Sequence, residues 1–357
     1  MKKENKTRKT IKLRAVNVSV FLIGFVLLFG GFQSQIRNKW NAGSDLRPVY
    51  ADYEQQPTGS IDVLFMGTSE IHEGVSPMTM YHENGITSYN LATSWRHPIT
   101  TYYQLEYALK HQTPKLVVCD FAALFEPDLY DALGYKISDT MPDPLVRLKL
   151  IHAICEYDKS VDPIDYFLPM VRVHDMWSTM TAADLGEPED NKKYPPQFRG
   201  GMIFMREYDG DDDFEITPEL WTPDDSDDTI PQANADYYDK MINLCRSKGI
   251  TIVMLNMPRV EDAPNKAATW AAMENFFTSR GVKIYDYNTY EAVQALGLDL
   301  HTHYRDETHL NWRGAFLFSE HFAQVLKADY SLPDRRGQYA DWDKTYSDFA
   351  AYYGIGG

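Results

Sequence analysis

Along the chain, short apolar runs alternate with stretches whose apolar residues recur every three to four positions. The runs are Ile61–Met66, Thr87–Ala92, Lys115–Phe121, Ile250–Asn256 and Val282–Tyr287. They have the length and the β-branched, aromatic character of buried strands. Between them, Val75–Asn84, Pro98–His111, Ala235–Lys248, Pro264–Arg280, Thr289–Leu296 and Leu310–Lys327 carry helical spacing. Glycine closes several of these helices, as at Gly85, Gly249, Gly281 and Gly297. Strand, crossover helix, strand at this spacing predicts an α/β protein with a mainly parallel five-stranded sheet. The rhythm breaks between 126 and 233, a large insertion. There Met141–Tyr157 and Asp165–Thr181 read as helices, and 192–210 is rich in Pro, Gly and aromatics.

The first apolar stretch is of another kind. Val16–Phe32 runs seventeen residues without a charge, close to the lower limit of about 17–25 for a spanning helix. Lys2, Lys3, Lys6, Arg8, Lys9, Lys12 and Arg14 against Glu4 give residues 1–14 a charge of +6. The formal total is −16, so the remainder carries −22. A basic flank before the span predicts residues 1–15 in the cytoplasm and the body on the outer side of the membrane, as a single-pass protein. A cleaved signal peptide is the alternative, although Gln33–Trp40 offers no small-x-small cleavage site. The expected order is a basic head (1–15), an anchor (16–32), a stalk (33–60), a catalytic domain (61–330) and a polar, aromatic tail (331–357) that packs on the surface.

Charge and cysteines narrow the chemistry. A body this acidic repels phosphates, which argues against nucleic acid as a partner. Cys119, Cys155 and Cys245 are widely spaced, without a CxxC pair, which excludes a zinc ribbon or a disulfide framework. The acidic clusters 209–215 and 224–228 are solvated loops. A calcium loop starting at Asp209 would need glycine and glutamate where Phe214 and Leu220 stand. His301, His303 and His309 with Asp306 have zinc-like spacing, but a polar loop feeding a helix explains the first two more simply. No metal and no cofactor are expected.

What remains is a serine. The first strand ends at Gly67-Thr68-Ser69-Glu70, a turn at the carboxyl end of the sheet, where open α/β folds keep their reactive groups. A serine needs a base. Asp306 and His309, three residues apart after the last strand, supply an imidazole and a carboxylate to orient it. Ser69 is therefore the candidate nucleophile, His309 the base and Asp306 its partner. His72 and Glu73, one turn beyond Ser69, are candidate pocket residues. Trp95, Trp177, Phe198 and Tyr208 are candidate sugar-stacking aromatics.

Gly67-Thr-Ser-Glu70 resembles the GDS block of SGNH/GDSL hydrolases, and Asp306-Glu-Thr-His-Leu-Asn311 resembles their closing DxxHLN block. The likeness spans roughly 61–125 and 234–327. It implies a three-layer flavodoxin-like fold and acyl transfer through a serine ester. The middle blocks depart: Asn90-Leu-Ala-Thr-Ser-Trp95 lacks both glycines of NxGxxG, and Ala122–Phe125 lacks the asparagine of GxND. The oxyanion donors are then expected from the main chain of Ser69 and of Ala92–Trp95, with Arg96 as a further donor. The anchor, the G-[ST]-S-E turn and the lost middle blocks resemble the DltD-like branch, whose members work beside membrane-bound O-acyltransferases on surface polymers. That resemblance implies a serine acyltransferase or esterase for O-acyl groups of a cell-surface glycopolymer or teichoic acid. It also implies a membrane-bound O-acyltransferase as partner. The alternatives are a non-catalytic polymer-binding or acyltransferase-partner protein on a decayed fold, and a plain carboxylesterase.

Overall fold

The computed structural model describes residues 2–39, 46–94, 96–126, 128–129, 131–181, 195–210, 216–221, 229–260 and 267–355. Five strands, β1 (Val63–Met66), β2 (Ser88–Asn90), β3 (Leu116–Asp120), β4 (Thr251–Asn256) and β5 (Ile284–Asp286), form one sheet in the order β2-β1-β3-β4-β5. All four pairings are parallel. This is the flavodoxin-like doubly wound order, whose switch point lies between the carboxyl ends of β1 and β3.

The strands are apolar throughout because both faces are covered. Leu64, Met66, Val117, Cys119, Ile252 and Met254 face one core. It is closed by helices α2 (Leu46–Gln55), α5 (Pro98–His111), α7 (Pro144–Tyr157), α10 (Gln232–Ser247) and α11 (Ala267–Thr278). Val63, Phe65, Leu116, Val118, Val253 and Leu255 face the other. That side is closed by α3 (Ser69–Gly74), α4 (Pro77–Asn84), α12 (Tyr290–Leu296), α13 (Leu300–His303), α14 (Trp312–Tyr330) and α15 (Ala340–Tyr353).

Four expectations change. The stretch read as a stalk is in part core: α2 turns Leu46, Val49, Tyr50 and Tyr53 inward, and Tyr53 donates to the Ala108 carbonyl at 3.1 Å. The tail is likewise a helix, with Trp342, Phe349 and Tyr353 buried against α4 and α14. The helix expected over 141–157 starts three residues later, as α7, and a helix that was not expected, α6 (Asp131–Thr140), precedes it. Pro142 and Pro144 separate them, and Asp143 caps α7. The helix expected over 165–181 is broken at Pro169 into α8 (Ile164–Phe167), α9 (Pro169–Arg172) and a 3₁₀ turn at His174–Met176.

At the other end, α1 runs Lys2–Lys39. Its segment Lys12–Ser34, 23 residues with an unburied apolar stretch, is long and apolar enough to cross a membrane.

Candidate active site

Strand register places the parts. Met66 pairs with Cys119, so Gly67 lies beside Asp120, the last residue of β3. The Thr68 N–H and hydroxyl both donate to Asp120 Oδ2, at 2.6 and 2.7 Å. Gly67 has φ +139°, and a Cβ there would stand 2.4 Å from the same oxygen. Only glycine fits that approach. Burial, then the charge of Glu70, push the Asp120 carboxyl up to about 7, against the two Thr68 hydrogen bonds and Arg96. The turn is thus clamped from behind, and Ser69 opens α3. Arg259 Nη1 donates to Glu70 Oε1 at 3.1 Å and steadies the same turn.

Ser69, Asp306 and His309 come together. Ser69 Oγ lies 2.7 Å from His309 Nε2, and His309 Nδ1 lies 2.7 Å from Asp306 Oδ1. This geometry suits the tautomer protonated on Nδ1, leaving Nε2 to accept the serine proton. The N–H groups of Thr308 and His309 also donate to Asp306 Oδ1, at 3.1 and 2.8 Å, closing the loop around its carboxylate. Burial lowers the His309 pKa, but the Asp306 hydrogen bond and the charges of Glu73 and Asp306 outweigh it, so the net shift is upward. Asp306 moves downward: burial opposes this, and the His309 bond and charge, with Arg305, prevail.

Behind this loop stands a second carboxylate. Arg305 Nε lies 2.7 Å from Glu73 Oε2, its Nη2 donates to Glu73 Oε1 at 3.2 Å, and Nε is 3.3 Å from Asp306 Oδ2. Phe204, from the insertion, packs under the guanidinium at 4.6 Å. Glu73 is buried, and desolvation raises its pKa to about 7 against the pull of His309 and Arg305. His72 is buried too and held neutral, its pKa lowered to about 3, mainly by burial. Glu73 reaches the site through Arg305. Arg305, Arg259 and Asp120 were not singled out from the sequence. Their only signal was position, beside Asp306 or at strand ends.

The expected oxyanion donors fare differently. The Ala92 N–H donates to Asn90 Oδ1 at 3.0 Å and the Thr93 N–H to the Gly67 carbonyl at 3.1 Å, so both are occupied. Thr93 is consumed because Leu91 and Thr93 continue the β1–β2 ladder beyond the strand, and Ala92 because the Asn90 side chain folds back onto its N–H. Trp95 lies outside the described residues. Arg96 is buried, and its Nη2 donates to the Leu91 carbonyl at 2.8 Å and to Gln104 Oε1, a structural placement. Thr68 gives α3 no side-chain cap, so the first N–H groups of that helix, Ser69 among them, have no intrahelical acceptor.

Of the aromatic candidates, Phe198 packs on Phe349 and Tyr353 in the core. Tyr208 donates to Glu307 Oε1 at 2.8 Å and meets His301 edge-on, bringing the insertion to the rim of the histidine loop. Trp177 is half-exposed. His303 Nδ1 accepts the Asp299 N–H at 3.0 Å, within the turn of α13. Among the described residues, no group of three or more His, Cys, Asp or Glu side chains is placed to hold a metal ion. The acidic stretches 211–215 and 222–228 lie outside them.

Fold and site together define a flavodoxin-like α/β protein with a serine–histidine–carboxylate chain at the carboxyl edge of its sheet. No protein-family model matches the chain, and no curated protein matches it. Among solved structures, it is similar to a proposed acylhydrolase from Bacteroides fragilis NCTC 9343, crystallised at 2.00 Å. The two are 11% identical with a TM-score of 0.38, over 78% of this chain and 94% of that one. The chemistry of the site therefore rests on its own geometry.

Proposed function

We propose that this chain is a membrane-anchored serine esterase or O-acyltransferase that works through an acyl-serine on Ser69. The observation carrying this reading is the continuous chain from Ser69 Oγ to His309 to Asp306, each link 2.7 Å. Ser69 Oγ attacks the acyl carbonyl while His309 Nε2 takes its proton. The Ser69 N–H at the start of α3 donates to the developing oxyanion. The tetrahedral adduct then expels the alcohol, which leaves with the proton from His309. An acceptor hydroxyl, of water or of a second sugar, repeats the steps in reverse and frees the serine. Asp306 keeps the Nδ1 proton and stabilises the imidazolium.

The finer reading is that the acyl groups belong to a cell-surface glycopolymer or teichoic acid, outside the bacterial cell membrane, with a membrane-bound O-acyltransferase as partner. The N-terminal span and the insertion at the rim of the site support it. The test is labelling of the full chain in membranes with a fluorophosphonate, alongside measurement of polymer O-acylation. Wild type is expected to form an adduct at Ser69, and Ser69→Ala to lose both adduct and polymer acylation while staying folded. Full polymer acylation by Ser69→Ala would end the mechanism. The occupied N–H groups of Ala92 and Thr93 favour a second reading, a non-catalytic partner protein. Folded wild type that forms no adduct would select it.

A further inference from the structure

The span does not leave the body at a distance. Gln33 Oε1, in the last turn of the apolar segment, accepts the Met170 N–H of α9 at 2.9 Å, and Ile36 is buried. Ser34 borders a cavity of about 320 Å³ with Arg47, Tyr50, Asp139 and Met141. The body thus grips the helix where it emerges from its apolar stretch.

The same Met170 makes a second contact. Its carbonyl accepts the indole N–H of Trp177 at 2.9 Å. One residue therefore links the end of the span to a tryptophan whose surface is 50% exposed. With its N–H satisfied inward, the indole offers an apolar surface outward. Helix α8, joined to α9 through Leu168 and packed on it, leaves Ile164 41% and Phe167 43% exposed. Single exposed apolar residues are ordinary on any surface. Here two stand on the helix packed against α9, and the third is bonded to Met170, the residue of α9 that holds the spanning helix.

We propose that Ile164, Phe167 and Trp177 form a patch that seats the folded body on the lipid interface, beside the exit of its own span. The proposal rests on reading α1 as a membrane anchor. A bilayer is the occupant that the covalent continuity supplies: wherever the span ends, the interface lies within a turn or two of Met170. Tryptophan at such a level places its ring among the headgroups. Burying apolar surface there contributes about 25 cal/mol per Å². The neighbouring charges are Asp162, Asp165 and Asp175 against Lys159 and Arg172, and Arg172 is engaged with Asp139. Without a cationic surplus, seating is expected to be insensitive to salt and to need no anionic lipid.

The test uses the full chain in phosphatidylcholine vesicles, with and without lipid bearing a nitroxide near the headgroup end of its acyl chain. Flotation of the vesicles reads whether the span inserts. Emission of wild type is then compared with Trp177→Phe, the difference being the signal of Trp177. That signal is expected to be quenched by the nitroxide lipid and shielded from aqueous acrylamide. The paired surface variant Ile164→Asp/Phe167→Asp is expected to reverse both. Trp177 emission open to acrylamide and untouched by nitroxide lipid, in protein that floats, would overturn the patch. So would shielding that arises only after a membrane protein partner is added. Protein that fails to float would overturn the anchor, and the patch with it.

Discussion

The two halves of the site are braced by different physics. The nucleophile turn, 67–70, is held through its backbone: a glycine at φ +139° meets the Asp120 carboxylate, which binds the next N–H and hydroxyl. The histidine loop, 305–309, is held through charge: Arg305 bridges Glu73 and Asp306, and Asp306 gathers two N–H groups and the imidazole. A backbone brace fixes position and is indifferent to the protonation of His309. A charge brace fixes position and also raises the His309 pKa. Damage to the first half should therefore lower the rate at every pH, while damage to the second should also move the pH profile. The rate of fluorophosphonate labelling against pH reads both without a known substrate.

The largest effect is expected from Asp306→Asn. Its NH2 must oppose a donor at either end, the Thr308 and His309 N–H groups or Arg305, and the neutral side chain no longer stabilises the imidazolium or holds the Nδ1 tautomer. A fall of about 10⁴-fold is expected from losing that control. The Asp306 hydrogen bond and charge both raise the His309 pKa, so their removal lowers it. The acid limb of the profile should then move to lower pH. An unmoved limb would mean that Asp306 does not act on His309.

Gly67→Ala comes next. Its Cβ would sit 2.4 Å from Asp120 Oδ2, in a backbone region that alanine avoids. The strain is about 1–3 kcal/mol. Displacing the serine by about 1 Å costs up to about 10²-fold. Thermal unfolding should report the first and labelling the second, with the acid limb where wild type has it. A shifted limb would show that the two braces are not separate.

The same contrast explains what could be read in advance. The five strands were legible because both faces are buried, which makes each strand a continuous apolar run. Ser69, Asp306 and His309 were legible because each sits at the edge of such a run or just before a helix. Asp120 was not, since its role depends on the register that sets Met66 against Cys119, and register is a tertiary quantity. Glu73 could be noticed beside Ser69, but its link to Asp306 passes through Arg305, 232 residues away. Helices α2 and α15 carried their signal at Leu46, Val49, Tyr50 and Tyr53, and at Trp342, Phe349 and Tyr353. Pro48 and the polar residues around them hid it. That Asn90 takes the Ala92 N–H was not legible, because nothing local reveals it.

The smallest effect belongs to Glu73→Gln, and it tests the charge brace alone. Glutamine keeps the shape and one acceptor for Arg305, so the loop should remain in place and the plateau rate should change by less than about tenfold. The charge of Glu73 raises the His309 pKa, so its loss lowers that pKa and moves the acid limb down, by less than Asp306→Asn does. Relative to wild type, the variant should therefore improve as pH falls. The wild-type limb has a further signature. Burial raises the Glu73 pKa to about 7, the His309 pKa is also raised, and the two charges act on each other. Each proton on Glu73 makes the next one on His309 harder to add, and the limb is broadened. With glutamine at 73 it should sharpen to the curve of a single group. A limb of unchanged position and width would show that Glu73 supports Arg305 by packing alone, and that the histidine loop, like the nucleophile turn, is held by geometry rather than by charge.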